Sequence, residues 1–308
     1  MTKIEVIRAG VYTGHRDCVY SVVSGWREEE FYSCGGDGMI VRWVLTKPDE
    51  GELVAKVSNS VYAIRSSFRE NELLIGHNYE GVHLIDTSSK KEICSAKITS
   101  SAIFDIAIID EQAWIATGSG ELIILSAKDL TVIFKIKLSQ NSLRCICSMS
   151  ESDHVAIGCS DHKIYILSKK KFRLLYTLAG HTNSVFSVIY SPDKKWLLSG
   201  SRDAQIKIWN CTDNYAMHMN IPAHMFAINH IEYSPDRNHF ASASMDKTIK
   251  IWDAHTFRLL KVIDKARHGG HLTSVNKLYW SCYENKLISC SDDKSVMVWD
   301  IKFNSLAI

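Results

Sequence analysis

The sequence has almost no net charge. Its 36 Lys and Arg residues nearly balance its 34 Asp and Glu residues, which leaves a formal charge of +2. Proteins that bind nucleic acid or an anionic membrane by electrostatics usually carry a clustered basic excess. The composition therefore predicts no nucleic acid and no membrane as partner, and a partner must be recognised by local features.

Long apolar runs are also absent. The longest stretch without Asp, Glu, Lys or Arg runs from Leu174 to Pro192 and has polar residues in its middle, so it does not predict a membrane span. Glu5 stands where a secretory signal would place its apolar region, and we expect no export. Nine cysteines, an odd number without paired spacing, then indicate reduced thiols and a cytoplasmic location.

The sequence does contain an internal repeat. Three similar segments end at Trp209, Trp252 and Trp299, and equivalent anchors fall at positions 43, 85, 125, 167, 209, 252 and 299. Their spacing of 40–47 residues is the period of a four-stranded propeller blade and is too long for leucine-rich or ankyrin repeats. Seven anchors predict one domain of seven repeats over residues 1–308, where length alone would suggest two domains.

Each repeat contains short runs rich in Ile, Val and aromatic residues, separated by polar turns. Repeat five, for example, has such runs at Ser184–Tyr190, Trp196–Ser199 and Gln205–Trp209, and a further run precedes the next anchor. The pattern predicts four strands per repeat. No segment of useful length has a helical period, so we expect an all-β, antiparallel chain.

Two dipeptide signatures recur at this spacing. Gly14-His15 and Gly180-His181 open repeats, and Trp252-Asp253 closes one. With these motifs the chain resembles the WD-repeat family of β-propellers over essentially its whole length. The resemblance implies a seven-bladed β-propeller whose innermost strands line a central channel. It also implies a non-catalytic scaffold for protein interactions, without a cofactor.

The two ends of the chain are expected to pair. In every repeat the fourth strand lies just before the next His-bearing loop, and residues 4–12 precede Gly14-His15 in this way. Only eight residues follow Trp299-Asp300, too few for a turn and a complete fourth strand. Residues 4–12 should therefore be the outer strand of the last blade, which removes an open sheet edge.

A His, a Ser and an Asp recur in four repeats and supply the residue types of a nucleophilic triad. An enzyme needs one such site, and each copy here also has a tryptophan whose indole N–H can donate to the Ser. Four copies indicate buried, structural hydrogen-bond tetrads, and in the family this tetrad is structural. The predicted tetrads are His15, Ser33, Asp37 and Trp43; His181, Ser199, Asp203 and Trp209; His224, Ser242, Asp246 and Trp252; and His271, Ser289, Asp293 and Trp299.

No other residues suggest chemistry. His268 and His271 are three residues apart, but His271 belongs to a tetrad and no Cys or acid completes a metal site. We therefore predict no catalytic residue, no metal and no cofactor.

The resemblance implies that partners bind at the start of the innermost strands, at the mouth of the channel. Aromatic and Arg residues, which dominate binding energy at interfaces, are enriched there. Counting along the repeats places at this position Tyr20, Tyr62, Phe104, Arg144, Phe186, Asn229 and Asn276. Arg202, just before the tetrad residue Asp203, occupies a second recurrent contact position.

The aromatic residues of this set have two interpretations. They either form a binding ring or pack between blades as ordinary core. Arg144 favours the first, because a guanidinium is seldom fully buried without a partner.

The favoured partner is a protein or peptide with an acidic or phosphorylated anchor. Arg144 and Arg202 would hold the anion beside the apolar Phe186. The rival is a cationic side chain that stacks on aromatic rings and is assisted by acids. The residues of that rival site are Tyr20, Tyr62, Phe104, Asp105 and Asp292.

Other hypotheses stay open on the sequence alone. The chain would act as a monomer or as a subunit of a hetero-complex. The alternatives to a scaffold with a partner at the channel mouth are an enzyme with an unrecognised site at that mouth and a subunit of a larger assembly with no small ligand.

Overall fold

The computed structural model describes residues 3–304. Within them, 28 strands form seven four-stranded antiparallel sheets, the blades of a seven-bladed β-propeller. Six blades are built from four consecutive strands, and the predicted strand number and all-β class are confirmed.

The chain divides into two compact units, residues 3–56 with 229–304 and residues 57–228. The first unit holds three blades, numbered here by the order of their innermost strands. Blade 1 contains β2 (Val19–Ser24), β3 (Glu30–Gly35), β4 (Met39–Val44) and β5 (Lys47–Lys56). Blade 6 contains β22 (Ile228–Tyr233), β23 (His239–Ser244), β24 (Ile249–Asp253) and β25 (Leu259–Ile263). Blade 7 contains β26 (Val275–Trp280), β27 (Lys286–Ser291), β28 (Val296–Asn304) and the N-terminal β1 (Lys3–Tyr12).

The second unit holds four blades, each of consecutive strands. Blade 2 contains β6 (Val61–Ser66), β7 (Glu72–His77), β8 (Gly81–Asp86) and β9 (Lys91–Ala96). Blade 3 contains β10 (Ile103–Ile109), β11 (Gln112–Thr117), β12 (Glu121–Ser126) and β13 (Val132–Lys137). Blade 4 contains β14 (Leu143–Ser148), β15 (His154–Cys159), β16 (Ile164–Ser168) and β17 (Leu174–Leu178). Blade 5 contains β18 (Val185–Tyr190), β19 (Trp196–Ser201), β20 (Gln205–Asn210) and β21 (Ala216–Pro222).

Burial explains which runs become inner strands and which become outer ones. The middle strands β7 and β11 are almost continuously buried and apolar, as expected for strands covered on both faces. The outer strand β13 alternates apolar residues with exposed Lys135 and Lys137, which protect its unpaired edge. The core lies between neighbouring blades: Trp114 and Ile124 of blade 3, for example, share one cluster with Val155 of blade 4.

The outer strand of blade 7 comes from the N-terminus, as predicted. Strand β1 pairs antiparallel with β28, from Ile4 opposite Phe303 to Tyr12 opposite Val296. The Tyr12 ring meets Trp43 of blade 1 edge to face, with centroids 5.6 Å apart, and its hydroxyl donates to the Leu45 carbonyl at 2.9 Å. The pairing therefore ties the first strand to the last blade and to its neighbour.

Two short helical segments were not anticipated. Helix α1 (Lys265–His268) is capped by the Asp264 side chain and ends at Gly269, whose φ of 67° needs the left-handed region. A 3₁₀ turn covers Tyr283–Asn285. Both lie in the longest interval between anchors, so the additional residues of that repeat form turns outside the sheet. Among residues 3–304, no helix is long and apolar enough to cross a membrane.

Candidate functional site

The predicted contact residues share one backbone feature. Each is the second residue of its innermost strand, and each is partly exposed. In the six blades whose inner pairing is described, the register shifts at this residue; Tyr62, for example, lies between paired Val61 and Ala63. Such a bulge leaves one residue unpaired and re-aims its side chain. The bulges therefore turn this position out of the regular alternation of the strand.

Four of these side chains form a continuous stack within the second unit, which we call the Arg144 stack. Tyr62 and Phe104 stack with ring centroids 5.5 Å apart and an interplanar angle of 30°. The Arg144 guanidinium carbon lies 4.0 Å from the centroid of Phe104 and 5.6 Å from that of Phe186. A cation between two aromatic faces is a favourable cation–π arrangement. The side chains of blades 2 to 5 are thus brought together here.

The charge of Arg144 has no counter-charge among the side chains that the structure describes. Its Nε donates to Ser160 Oγ at 2.7 Å, and among residues 3–304 no carboxylate lies within ion-pair distance. Burial lowers the pKa of Arg144, and the positive charge of Arg202 acts in the same direction. Arg202 itself is exposed. The stack therefore presents cationic N–H donors without an acidic partner.

The three remaining positions lie in the first unit. The Asn229 amide donates to Ser274 Oγ and the Val275 carbonyl, both at 2.9 Å, so it ties blade 6 to blade 7. The Asn276 amide donates to the Val19 carbonyl at 2.8 Å and ties blade 7 to blade 1. Tyr20 occupies the equivalent bulge of β2. Both asparagines thus serve as braces between blades, which the sequence did not reveal.

Two acids that would assist a cationic ligand are already engaged. Asp105 is buried, and its Oδ2 accepts a hydrogen bond from the Ile146 amide at 2.8 Å. Asp292 Oδ1 accepts one from the Asn276 side chain at 2.7 Å. These carboxylates therefore already have structural donors.

The tetrad side chains of blades 1, 5 and 7 form continuous hydrogen-bond chains. In blade 5, His181 lies 2.8 Å from Asp203 and 2.7 Å from Ser199 Oγ, and Trp209 Nε1 donates to that Oγ at 2.9 Å. Blades 1 and 7 repeat the arrangement in His15, Ser33, Asp37 and Trp43 and in His271, Ser289, Asp293 and Trp299. In blade 6, the Trp252 indole donates to Ser242 at 2.8 Å, and His224 is buried.

Burial and charge give the tetrads a structural character. Burial lowers the pKa of His181 although Asp203 opposes this shift. For Asp203, burial acts upwards, but the His181 contact and backbone N–H donors outweigh it and lower the pKa to about 2. The pair is thus a neutral imidazole and a carboxylate at pH 7. Ser199 is fully buried beneath Trp209, so its hydroxyl cannot meet a substrate.

Blades 2 to 4 contain other polar networks in place of the tetrad. In blade 4, Asp161 Oδ2 accepts hydrogen bonds from Tyr165 at 2.6 Å and Ser139 at 2.8 Å. Asp161 stands six residues before its anchor, as Asp203 does, so this signal was present in the sequence but was missed. In blade 3, Thr117 and Ser119 hydroxyls lie 2.9 Å apart.

Blade 2 contains a pair of histidines. His77 Nδ1 lies 3.4 Å from His83 Nε2, and His77 is buried. Burial lowers the pKa of His77. No spacing rule applied to the sequence singled out this pair, because the two residues meet only across the β7–β8 hairpin.

The family can be assigned from sequence comparison together with these blades. Residues 172–210, 217–253 and 263–300 match the profile "WD domain, G-beta repeat". The chain therefore contains three WD repeats. The matched segments include the tryptophans of blades 5, 6 and 7, and the strands of blades 1 to 3 lie outside them.

Several curated proteins are similar to this WD-repeat chain. It is 21% identical over 217 residues to Periodic tryptophan protein 2 of Saccharomyces cerevisiae, which covers 68% of this chain and 22% of the relative. It is 21% identical over 250 residues to human Striatin, and the match covers 70% of this chain and 32% of Striatin. It is 30% identical over 79 residues to mouse Pre-mRNA-processing factor 19, and the match covers 26% of this chain and 16% of that protein. The chain therefore spans a third or less of each of these relatives.

Proposed function

We propose that this WD-repeat protein is a non-catalytic scaffold that binds a protein or peptide partner through the Arg144 stack. An acidic or phosphorylated side chain of the partner would pair with Arg144 and Arg202, and an adjacent apolar side chain would pack on Phe186. This assignment uses the second unit only, residues 57–228.

The observation that carries the proposal is the unpaired guanidinium of Arg144. A partly buried cation loses hydration, and in the interior that loss is usually compensated by a carboxylate. Arg144 has aromatic faces and one serine in place of a carboxylate. Its planar donors suit bidentate pairing with a carboxylate or phosphate supplied by another molecule.

The same geometry weighs against a cationic ligand at Phe104. Arg144 and Tyr62 already occupy contact positions beside that ring. A second cation would also approach Arg144 and Arg202 and be repelled, while Asp105 is committed to the Ile146 amide. An acidic partner meets neither obstacle.

Enzymatic catalysis is the alternative function, and the described side chains give it little support. The repeated His, Ser and Asp sets have their hydroxyls enclosed by tryptophan. The repeated network is explained by the need to satisfy buried polar groups.

Further features of the proposed scaffold come from composition. Its nine cysteines, all within the described residues, form no disulfide, which supports a reducing compartment, and we propose that it acts in the cytoplasm. We also propose that residues 1–308 act as one domain, without a cofactor, as a monomer or in a hetero-complex. The near-zero net charge supports protein over nucleic acid as partner.

Peptide titration tests the ligand class. Matched fluorescent peptide libraries, in which a central position carries Glu, phosphoserine, Ala or Lys, are titrated against the wild type and Arg144→Ala. The expected result is saturable binding of Glu or phosphoserine peptides and an affinity loss of about tenfold or more on substitution, because about 1.5–3 kcal/mol is typical of a charged hydrogen bond.

The matched control is Arg173→Ala, which removes an exposed arginine from the same blade outside the stack. It should leave peptide affinity unchanged. Selective binding of Lys peptides would overturn the acidic anchor, and identical binding by wild type and Arg144→Ala would remove the stack as the site. Affinity purification from the native cell with a Tyr20 and Phe186 double alanine variant would then identify the partner that depends on the aromatic positions.

A further inference from the structure

The histidine pair of blade 2 lies outside the proposed partner site and has the arrangement of metal ligands. His77 ends β7 and His83 lies in β8, so the hairpin brings their imidazoles together. The ring centroids are 5.4 Å apart with an interplanar angle of 47°, so the rings converge at their edges and do not stack in parallel. His77 Nδ1 and His83 Nε2 are 3.4 Å apart.

A third donor lies on the turn between the two strands. Glu80 Oε2 is 3.3 Å from His77 Nδ1. A tetrahedral zinc ion has bonds of about 2.0–2.1 Å to nitrogen and about 2.0–2.2 Å to oxygen, which places neighbouring ligand atoms about 3.3 Å apart. Both distances at His77 therefore equal the edge of such a tetrahedron.

The third edge of that tetrahedron, between His83 Nε2 and the Glu80 carboxylate, is not formed. Among residues 3–304, no three side chains already converge as a metal-binding group. The Glu80 side chain is 52% exposed, so its carboxylate has room to adopt other rotamers. The pair is thus a two-histidine clamp that Glu80 and water complete on binding.

The outer nitrogens of both imidazoles are held by other groups. His83 Nδ1 lies 2.6 Å from Glu92 Oε2, and Glu92 in turn accepts from Ser95 Oγ at 2.9 Å. His77 Nε2 lies 3.3 Å from Ser58 Oγ. Carboxylate and hydroxyl partners of this kind fix the tautomer and orientation of metal-bound histidines. The inner nitrogens, His77 Nδ1 and His83 Nε2, face each other.

The clamp is also accessible and electrostatically suited to a cation. His77 is 3% exposed but His83 is 20% exposed, which gives an entry path from solvent. Glu80 and Glu92, both about half exposed, supply negative charge beside the two imidazoles.

We propose that His77, His83 and Glu80 bind one divalent transition-metal ion, with zinc the preferred occupant, and that Glu92 is a positioning residue for His83. The ion would link β7, β8 and the turn between them, in a blade that lacks the tetrad. This proposal is independent of the partner site, and it departs from the expectation, drawn from the sequence, that the chain binds no metal.

Calorimetric titration of the full, untagged, chelator-treated protein with ZnCl₂ tests it. The wild type should bind one zinc ion per chain, and His83→Gln should lose this binding. Glu92→Gln should weaken it about tenfold, because loss of such an outer partner typically costs 10–100-fold in affinity. His218→Gln, an exposed histidine of β21 in blade 5, is the matched control and should bind as the wild type does.

Two further measurements separate binding from folding. With Co²⁺ as probe, the wild type should show the intense visible absorption of a four-coordinate site, and His83→Gln should not. Zinc should raise the melting temperature of the wild type but not of His83→Gln. If His83→Gln is unfolded without metal, Glu80→Gln and Glu92→Gln provide the comparison. Equal zinc affinity in the wild type and the folded ligand variants, or a six-coordinate cobalt spectrum in the wild type, would overturn the site.

Discussion

Blades 4 and 5 are neighbours in sequence, yet they satisfy the same buried polar position differently. Blade 5 uses His181 and Asp203 with the Ser199 hydroxyl enclosed by a tryptophan. Blade 4 keeps the acid as Asp161 but surrounds it with Tyr165 and Ser139. The difference shows that the blade requires a satisfied polar chain, while the four tetrad residues are only one solution.

The comparison extends to function. Blade 4 also supplies Arg144, whose Nε bonds Ser160, the residue immediately before Asp161. At the position of Ser160, blade 5 has Arg202, which is exposed. The departure from the tetrad in blade 4 thus coincides with a half-buried cation that has no carboxylate partner, and departures from local rules tend to mark functional sites.

The largest effect should come from removing the strand that completes blade 7. That blade has a full tetrad. Removing residues 1–12 therefore tests whether the tetrad alone keeps the blade stable without its outer strand. We expect a loss on the order of 5 kcal/mol or more, because the buried Ile4 and Tyr12 are removed with β1. Thermal unfolding followed by circular dichroism measures it, and an unchanged melting temperature would refute the role of β1.

Substitution of the two equivalent acids compares the blades directly. Asp203→Ala should lower the free energy of unfolding by about 1–3 kcal/mol, because His181 and backbone donors lose their acceptor in a buried setting. Asp161→Ala should cost about 1 kcal/mol, because a tyrosine and a serine hydroxyl at a part-buried site can turn to water. Urea unfolding of both variants provides the numbers. Equal losses would show that the two networks contribute alike.

Much of this architecture could be predicted from the sequence. The anchor spacing predicted seven blades, and the run before Gly14-His15 predicted the β1–β28 pairing. The tetrad residues were predicted from residue order, because the repeat fixes their positions. Asp161 was missed only because its hydrogen-bond donors differ from those of the tetrad.

The candidate site was less predictable. Counting along the repeats found these positions, but only the coordinates show the bulge at six of the seven and separate their roles. Phe186 and Arg144 stack, whereas Asn229 and Asn276 bond the backbone of the next blade. Side-chain contacts across blades depend on three-dimensional distances that a single sequence does not encode in its spacing. For the same reason the contact between His77 and His83 could not be predicted from the sequence.

Acid should destabilise blade 5 through the histidine of its tetrad. Burial places the folded pKa of His181 below 6.5, so the neutral form stabilises the fold above pH 6.5 and that contribution is lost as pH falls. The pKa of Asp203, about 2 against 3.8 when exposed, adds stability above pH 4 that is lost between pH 4 and 2.

The pH dependence can be tested by comparing blades. His181→Gln should flatten the decline in the free energy of unfolding between pH 7 and 5, whereas Asp161→Asn should leave that part of the profile intact. Urea unfolding across this range measures both. A decline that His181→Gln leaves unaltered would assign the acid sensitivity to groups outside the blade 5 tetrad.

The smallest effect on stability is expected at Arg144. Arg144→Met keeps a flexible apolar side chain between Phe104 and Phe186 but removes the desolvated cation. The free energy of unfolding should stay within about 1 kcal/mol of the wild type. If Arg144→Met lowers the free energy of unfolding by about 3 kcal/mol or more, the result would support a role of Arg144 in the core between blades. A loss of that size is typical when one partner of a buried ion pair is removed.

The most direct test of the partner site is the affinity of this Arg144→Met variant for Glu and phosphoserine peptides, measured by fluorescence anisotropy beside the wild type. If the Arg144 stack recognises the partner, Arg144→Met should fold and should bind these peptides with affinity reduced about tenfold or more. A variant that binds the acidic peptides as tightly as the wild type would contradict the assignment of Arg144 as the anchor of the partner.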